Sequence, residues 1–267
     1  MIVNKKILGV IPARYGSSRL PGKPLADIHG KPMIQRVYER ALTAELNGLV
    51  VATDDQRIYD VVKGFGGEVV MTRSDHESGT SRTCEVAALK EFSEYDYFIN
   101  IQGDQPLIEE YTIRILALNL VSFESDEQAV MTLVAALKPD EINNPSISKV
   151  VTDKNGRALY FSRSVIPYTR DGQNIPHFYT VSLSRKTPYL KHLGVYGFTK
   201  ATIDKVRTLE PSYLEETERL EQLTWLYEGI PVYTAFGTDV NKISVDTQED
   251  LDRVREIVLK WQKQQKK

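Results

Sequence analysis

The chain has 267 residues, a length that suits one large α/β domain with or without a sub-domain, and its single cysteine, Cys84, excludes a disulfide framework and a cysteine-rich zinc site. Its 34 Lys and Arg against 36 Asp and Glu leave a net charge of −2, which argues against a general nucleic-acid-binding protein, because that class usually has a clear basic excess. The N-terminus does not resemble a signal peptide, and no apolar run approaches the roughly 20 residues of a membrane span, so we expect a soluble, cytoplasmic protein.

Apolar strands alternate with helical patterns through the first half of the chain. This alternation predicts an α/β fold with a mostly parallel sheet and helices on both of its faces. The predicted strands are 6–12, 48–55, 67–72 and part of 95–108, and the predicted helices begin at Pro32, span 56–64, and run from the polar loop 73–82 to about residue 91.

The pattern changes after about residue 135. Two strands within 149–168 surround Asn155-Gly156, a strong hairpin signal. A strand at 192–200 and an amphipathic helix at 214–228 follow the polar, irregular segment 169–191. A short apolar strand then ends at Asp246, and a closing helix begins where Thr247 and Asp250 have capping-box spacing.

A basic, glycine-rich loop follows the first strand. In such a sheet the loops 12–31, 53–57, 73–82 and 102–106 share the edge where ligands bind. The loop 12–31 carries Arg14, Arg19, Lys23 and Lys31, with Gly16 and Gly22 at a spacing that fits neither a Walker A loop nor the dinucleotide fingerprint. Backbone N–H groups and cations of this kind can hold phosphates, although four cations can equally be a solvated surface loop.

Two aspartates end apolar segments at the same predicted edge. Asp104 follows the strand "FINIQG", and Asp246 ends "ISV". Carboxylates placed there can hold Mg²⁺, which bridges protein carboxylates and phosphates. Alternatively, Asp104 is a turn residue before Pro106, and Asp246 merely precedes a helix cap.

Several motifs in order resemble the 3-deoxy-manno-octulosonate cytidylyltransferase family. They run from about residue 6 to 257 and include "IPARYGSSRLPGKPL", "VATDD", "INIQGDQPLI", "LYFSRSVIPY", "HLGVYGF", "LEQL" and "VDTQEDLDRVR". The resemblance implies a Rossmann-like nucleotidyltransferase fold in one domain. We expect a nucleotide-binding core at about 1–135 and 229–267, and a smaller sub-domain for sugar binding and dimerisation at about 136–228.

The reaction that the resemblance implies is CTP plus a sugar acid giving CMP-sugar plus pyrophosphate, for lipopolysaccharide or capsule synthesis, in a homodimer. It implies Mg²⁺ as cofactor, held by Asp104 and Asp246, which act in catalysis with Lys23 and Arg14. The residues it assigns to CTP are Arg14, Ser17, Lys23, Arg82 and Gln102, and those it assigns to the sugar acid are Gln102, Arg163, His192, Glu221 and Gln222, with Arg163 our candidate for the sugar carboxylate.

Alternatives stay open at several of these positions. His192 can be a core histidine, Arg163 a cross-strand ion-pair partner, and Glu221 and Gln222 ordinary helix-surface residues. Ser81 and Gln105 stand where the family pattern has acidic residues, so the substrate could be 8-amino-3,8-dideoxy-manno-octulosonate or another nonulosonate-like acid. A catalytically inactive nucleotide-binding protein is the alternative from another class.

Overall fold

The computed structural model describes residues 5–17, 19–124, 127–170, 189–238 and 243–265. Eight helices occur in these ranges, together with eleven strands. The strands are β1 Ile7–Ala13, β2 Asp27–Ile28, β3 Lys31–Pro32, β4 Gly48–Thr53, β5 Val69–Met71, β6 Tyr97–Asn100, β7 Val130–Ala136, β8 Lys149–Thr152, β9 Ala158–Ser162, β10 Leu190–Thr199 and β11 Val232–Phe236. The helices are α1 Met33–Leu42, α2 Gln56–Gly64, α3 Gly79–Ala88, α4 Glu110–Leu120, α5 Lys200–Val206, α6 Tyr213–Glu218, α7 Gln222–Tyr227 and α8 Gln248–Gln265.

One mixed sheet organises the molecule, with the strand order β11-β7-β10-β6-β1-β4-β5. Strands β6, β1, β4 and β5 are parallel neighbours, and β11 is parallel to β7. Strand β10 lies antiparallel between β6 and β7, and the hairpin β8–β9 pairs with its first residues. The predicted mostly parallel sheet is confirmed, and its parallel half places the loops after β1, β4, β5 and β6 at one edge.

Helices cover both faces of the sheet, which explains why β1 is almost wholly buried. Alternate residues of a strand point to opposite faces. Ile7 and Ile11 therefore join one apolar cluster with α1, α2 and α4, while Leu8 and Val10 join the other with α3, α5 and α7. The two apolar layers hold the ligand edge on a rigid frame.

Three local predictions need correction. The predicted helix 214–228 is two helices, α6 and α7, because Arg219 adopts a left-handed conformation (φ 53°) that ends the first. Residues 243–246 form no strand, and instead Val245 N donates to Asp104 O across 2.8 Å. Pro32 is extended (ψ 150°) and precedes α1 rather than opening it.

The hairpin and the closing cap are confirmed. Gly156 has φ 82° in the turn between β8 and β9, a conformation that favours glycine. Asp250 accepts hydrogen bonds from both the backbone N–H and the hydroxyl of Thr247. Most of the irregular segment 169–191, at 171–188, lies outside the described residues. None of the helices in the described ranges has the length and apolar character needed to cross a membrane.

Candidate active site

Lys23, Asp104 and Asp246 converge at the ligand edge of the sheet. The Lys23 ammonium lies 2.9 Å from Asp104 Oδ2 and 3.2 Å from Asp246 Oδ1, and it also donates to the carbonyl of Val245 across 3.0 Å. Residues 23 and 246 are far apart in the chain, so this cluster is a product of the fold. It brings together three of the residues that the sequence assigned to phosphate and metal chemistry.

Close backbone packing at the end of β6 positions Asp104. The preceding Gly103 passes so near β1 that a Cβ atom would lie 2.3 Å from the carbonyl oxygen of Pro12, so only glycine fits. The carbonyl of Asp104 accepts from Val245, which ties this turn to the chain segment that carries Asp246. Both carboxylates are therefore held by backbone contacts.

Asp246 lies one residue before the cap of α8. Its own N–H donates to the Asp250 carboxylate (3.1 Å), which also accepts from Thr247. The Asp246 side chain is left to face Lys23 and Arg19, whose Nη2 lies 3.1 Å away. Asp246 can therefore belong both to the helix cap and to the charged cluster, because its backbone N–H binds Asp250 and its carboxylate binds Lys23 and Arg19.

The donor set at this point fits a divalent cation shared with phosphate. Two carboxylates already converge on one cationic group, the Lys23 ammonium, whose side chain is only 15% exposed. Within the described ranges no group of three or more His, Cys, Asp or Glu residues could form an all-protein metal site. Mg²⁺ usually keeps several waters and binds through one or two carboxylates plus substrate phosphates, so two carboxylates suit it.

The remaining loop residues have fewer partners. Ser17 Oγ accepts from Leu20 N at 3.4 Å, a long bond that lies within the loop. The Arg14 side chain is exposed, and no ion pair to it is found in the part of the chain that the structure describes. Such a cation is available to an anionic ligand.

A cavity of about 440 Å³ opens beside the charged cluster. Asp104 and Asp246 form one end of it, and β10 and the segment before β8 form the other. Five of the predicted site residues line it, and the other six do not: Arg14, Ser17, Lys23, Arg82, Glu221 and Gln222. The lining consists of Gln102, Asp104, Gln105, Glu141, Ser146, Ile147, Ser148, Arg163, Lys191, His192, Leu193, Gly194, Leu220, Ser244 and Asp246.

An irregular stretch of β10 places His192 and Gln102 in the cavity wall. The register of β10 against β7 shifts between His192 and Tyr196, and Gly194 within this stretch has φ 62°. Its carbonyl accepts from Gln102 Nε2 (3.0 Å). His192 Nε2 lies 2.8 Å from the hydroxyl of Thr132, which itself donates to a backbone carbonyl, so Nε2 is the protonated nitrogen.

Arg163 lines the cavity but is tied to backbone carbonyls. Its Nε donates to the carbonyl of Glu218 (2.6 Å), and its two terminal nitrogens donate to Pro145 and Arg219. The alternative of a cross-strand ion pair is wrong for the guanidinium, because its partners are carbonyls. Described residues use three of the five N–H groups, which leaves two for a ligand.

Glu221 and Gln222 lie at the start of α7, and neither is an ordinary surface residue. Burial raises the pKa of Glu221 to about 7, against hydrogen bonds from the Thr80 and Ser78 hydroxyls that lower it. Gln222 is fully buried; its Oε1 accepts from the Tyr196 hydroxyl (2.9 Å), and its Nε2 has no partner among the described residues. A buried amide without a partner costs free energy.

The remaining predicted residues fall in two places. Arg82 is a buried residue of α3; it pairs with Asp54 (3.0 Å) and bonds to Thr72, and it does not line the cavity. Ser81 closes a capping box with Ser78 at the start of α3. By contrast, Gln105 is buried in the cavity wall, with Nε2 3.2 Å from Ser244 Oγ. Only one of the two neutral substitutions therefore faces the cavity.

Sequence reasoning missed two features of the cavity wall. Lys191 forms an ion pair with both oxygens of Glu141, at 2.7 and 2.8 Å, which lowers the pKa of that carboxyl. Ser148 presents a buried hydroxyl that has no partner in the described ranges. Residues 141 and 191 lie far apart in the sequence, and only the pairing of β8 with β10 would have suggested that they meet.

Comparison with known proteins identifies the family. The model of the cytidylyltransferase family matches residues 8–243. The chain belongs to this family. A 3-deoxy-manno-octulosonate cytidylyltransferase of Haemophilus influenzae (strain PittGG) is 44% identical over 252 residues, covering 94% of this chain and 98% of the relative. One from Aliivibrio salmonicida is 46% identical over 251 residues, covering 93% and 97%.

Solved structures agree with this assignment. A CMP:2-keto-3-deoxy-manno-octonic acid synthetase in complex with CTP superimposes with a TM-score of 0.84 at 42% identity, covering 96% of this chain and 99% of that one. A 4-diphosphocytidyl-2C-methyl-D-erythritol synthase from Anaerococcus prevotii gives 0.59 at 14% identity, covering 97% and 98%, and shares the fold alone. The predicted Rossmann-like nucleotidyltransferase fold is confirmed.

Proposed function

We propose that this cytidylyltransferase joins CTP to 3-deoxy-manno-octulosonate, giving the CMP-sugar and pyrophosphate. The observation that carries the proposal is the convergence of Lys23, Asp104 and Asp246 in a chain 44–46% identical to cytidylyltransferases of that sugar acid. An inactive nucleotide-binding protein would have no need to keep two carboxylates and an ammonium together. The amino-sugar and nonulosonate alternatives are less favoured, because the similar relatives act on the unmodified sugar acid by name.

The charged cluster would serve the phosphates. In the reaction the anomeric hydroxyl of the sugar acid attacks the α-phosphorus of CTP, and the bond from that phosphorus to pyrophosphate breaks. Lys23, Arg14 and the hydroxyl of Ser17 would bind the triphosphate, because cations and hydroxyl donors at hydrogen-bonding distance stabilise phosphate oxygens. Asp104 and Asp246 would hold Mg²⁺, which neutralises phosphate charge and lowers the pKa of a coordinated hydroxyl.

The cavity would hold the sugar acid. Its polar groups come from both sides, with His192 and Gln102 on one and Arg163 on the other, and the remaining N–H groups of Arg163 suit a carboxylate. Glu221 and Gln222, which the resemblance assigns to the sugar acid, do not line the cavity, so their contact with the sugar stays a prediction. Charge stabilisation by these fixed groups, rather than a dedicated side-chain base, would lower the barrier.

Product identification by mass spectrometry tests the function. The protein is incubated with CTP, Mg²⁺ and separate sugar acids: 3-deoxy-manno-octulosonate, its 8-amino analogue and a nonulosonate. The expected product is the CMP-sugar of the first, formed faster than the others. In a parallel incubation ATP replaces CTP, and comparable turnover there would contradict the assignment of CTP. CTP binding without any product would favour the inactive protein.

We also propose a homodimer formed through the sub-domain, in a cytoplasmic step of lipopolysaccharide or capsule synthesis. Large apolar side chains lie exposed on this part: Leu159 (60%), Tyr213 (63%) and Tyr227 (57%). The rings of Tyr213 and Tyr227 pack edge to face with centroids 5.7 Å apart, and exposed apolar surface is typical of an interface. Light scattering at micromolar concentration is expected to give twice the chain mass, and a monomer mass would refute the dimer.

A further inference from the structure

Two consecutive aspartates follow β4, and each holds an arginine. Asp54 binds the buried Arg82. Asp55 caps α2 by accepting from Arg57 N (3.0 Å), and its two oxygens hold the Arg57 guanidinium in a fork, with Nε at 2.9 Å and Nη2 at 2.6 Å. This contact lowers the pKa of the Asp55 carboxyl. A two-point contact fixes the plane of a guanidinium as well as its position.

The fixed guanidinium of Arg57 stacks on the ring of Tyr15 in the basic loop. The carbon at the centre of the guanidinium lies 3.3 Å from the ring centroid. The Tyr15 ring also lies against Gly22: a Cβ atom on Gly22 would be 3.0 Å from the ring. Gly22 has φ 69°, and its N–H donates to the carbonyl of Tyr15 across 2.9 Å.

These contacts form one series from β4 to the residue before Lys23. Asp55 holds Arg57, Arg57 holds the ring of Tyr15, and Tyr15 closes the loop onto Gly22, which opens the short 3-10 turn that carries Lys23. Gly22 also accepts from Leu25 N in that turn. The loop that presents Arg14, Ser17 and Lys23 is therefore fixed from outside by α2.

We propose that Arg57 is a positioning residue for CTP, which holds the phosphate loop in its binding shape through Tyr15. The inference rests on the proposed function, because it assigns the loop 14–23 to the triphosphate. Ordering a loop before the ligand arrives removes part of the entropic cost of binding. The planar contact is the important feature, and a positive charge alone at position 57 is not sufficient.

The test measures two properties of Arg57→Ala and Arg57→Lys. The first is the dissociation constant of CTP by calorimetry, with kcat at saturating CTP. The second is deuterium exchange in peptides covering residues 14–25, without nucleotide, because the Gly22 N–H reports the closed loop. For Arg57→Ala we expect about two- to fivefold weaker CTP binding, the scale of an exposed cation–π contact, with kcat nearly unchanged and faster exchange in the loop.

Arg57→Lys separates stacking from charge. It keeps the positive charge but loses the planar fork, so we expect most of the loss in CTP affinity to remain. Full CTP affinity in Arg57→Lys, or wild-type affinity in Arg57→Ala, would overturn the proposal. Arg114→Ala is the matched control, since it removes an arginine with surface ion pairs to Glu45 and Glu110 and should change neither property.

Deuterium exchange distinguishes a failure of the proposed function from a failure of the positioning role of Arg57. If the wild-type protein fails to bind CTP while Arg57→Ala still exchanges faster at 14–25, the proposed function is wrong and the structural role of Arg57 stands. If CTP binds but exchange in this loop is the same in all variants, the positioning role is wrong and the proposed function stands. Melting temperature confirms that each variant is folded.

Discussion

The two ends of the candidate site are built differently. At the phosphate end, the charged residues pair with one another: Lys23 with both carboxylates, and Asp246 with Arg19 as well. At the sugar end, three of the predicted residues are fixed by the framework instead. Arg163 is held by three carbonyls, Gln102 by Gly194, and His192 by Thr132.

This difference separates two kinds of pre-organisation. A cluster of opposite charges can exchange partners when a charged ligand arrives, because each ion pair can be replaced by another. Side chains bound to fixed carbonyls keep their geometry and select a ligand by shape. We therefore expect substitutions at the phosphate end to change the rate most, and substitutions at the sugar end to act through the sugar acid while leaving CTP affinity nearly intact.

The largest effect is expected for Asp246→Asn. An amide keeps the size of the side chain but loses the charge that Mg²⁺ and Lys23 require, so kcat should fall by on the order of 10²–10⁴ while the fold is kept. Asp104→Asn should do the same. Because both carboxylates act on one cation, the double variant should lose far less than the product of the two losses.

The measurement for both aspartates is kcat over a Mg²⁺ titration, with melting temperature as the control for folding. Asp252→Asn provides a matched exposed aspartate on α8, whose partner is Arg255, and should behave as wild type. Near-normal kcat for Asp246→Asn at saturating Mg²⁺ would mean that Asp246 is not a metal ligand and merely precedes the helix cap.

A smaller effect, confined to the sugar, is expected for His192→Ala. Removing one hydrogen-bonding side chain from the cavity wall should raise the KM for the sugar acid by about tenfold, or lower kcat, and leave the dissociation constant of CTP nearly intact. His29→Ala serves as control, because His29 bonds to the Arg255 carbonyl on another part of the surface. A parallel loss of CTP affinity would show that the two ends of the site are not separate.

Glu221 provides a test through pH. Burial raises the pKa of this carboxyl from 4.5 to about 7, so between these values the folded state holds a proton that the unfolded state has lost. The contribution of Glu221 to stability therefore falls as pH rises from about 4.5 to about 7. Glu221→Gln cannot ionise, and its stability relative to wild type should rise by about 2–3 kcal/mol between pH 5 and pH 8.

Urea unfolding at the two pH values measures this change. Glu216→Gln, on the exposed side of α6, is the control and should show no comparable difference. An equal stability difference between Glu221→Gln and wild type at pH 5 and pH 8 would mean that the Glu221 carboxyl is ionised freely in the folded protein.

The two ends of the candidate site differ in how well the sequence predicts their geometry, because different kinds of contact form them. At the phosphate end, Asp104 follows an apolar strand and Lys23 lies in a glycine-rich loop, so strand ends and loop composition indicate a shared edge. The register that brings Val245 and Asp246 to Asp104 is a long-range contact without strand pairing, and the predicted strand at that point was wrong. Periodicity carries no information on such contacts.

At the sugar end the sequence is less informative. The break between α6 and α7 depends on Arg219 in a left-handed conformation, which no local turn residue signals. That break directs the Glu218 and Arg219 carbonyls toward Arg163 and places Glu221 against α3. The residue set came from the family resemblance, whereas its geometry depends on backbone conformations that the sequence pattern does not indicate.

The smallest effect is expected for Ser81→Asp. Ser81 and Gln105 both stand where the family pattern has an acidic residue, but only Gln105 lies in the cavity wall. Ser81 accepts from Ser78 N and receives no contact from the cavity wall. An acid at this third helical position makes the same capping box and lies favourably near the positive end of the helix dipole. The stability of the Ser81→Asp protein should therefore change by no more than about 1 kcal/mol, with the KM for the sugar acid unchanged.

Gln105→Glu should differ, because it puts a carboxylate in the buried wall beside Asp104, where the amide now donates to Ser244. Repulsion of the anionic sugar acid should raise the KM for that substrate several-fold. Steady-state kinetics on the two variants, with CTP saturating, measures both. A larger change in the KM for the sugar acid in Ser81→Asp than in Gln105→Glu would mean that the N-terminus of α3, and not the wall formed by Gln105, contacts the sugar.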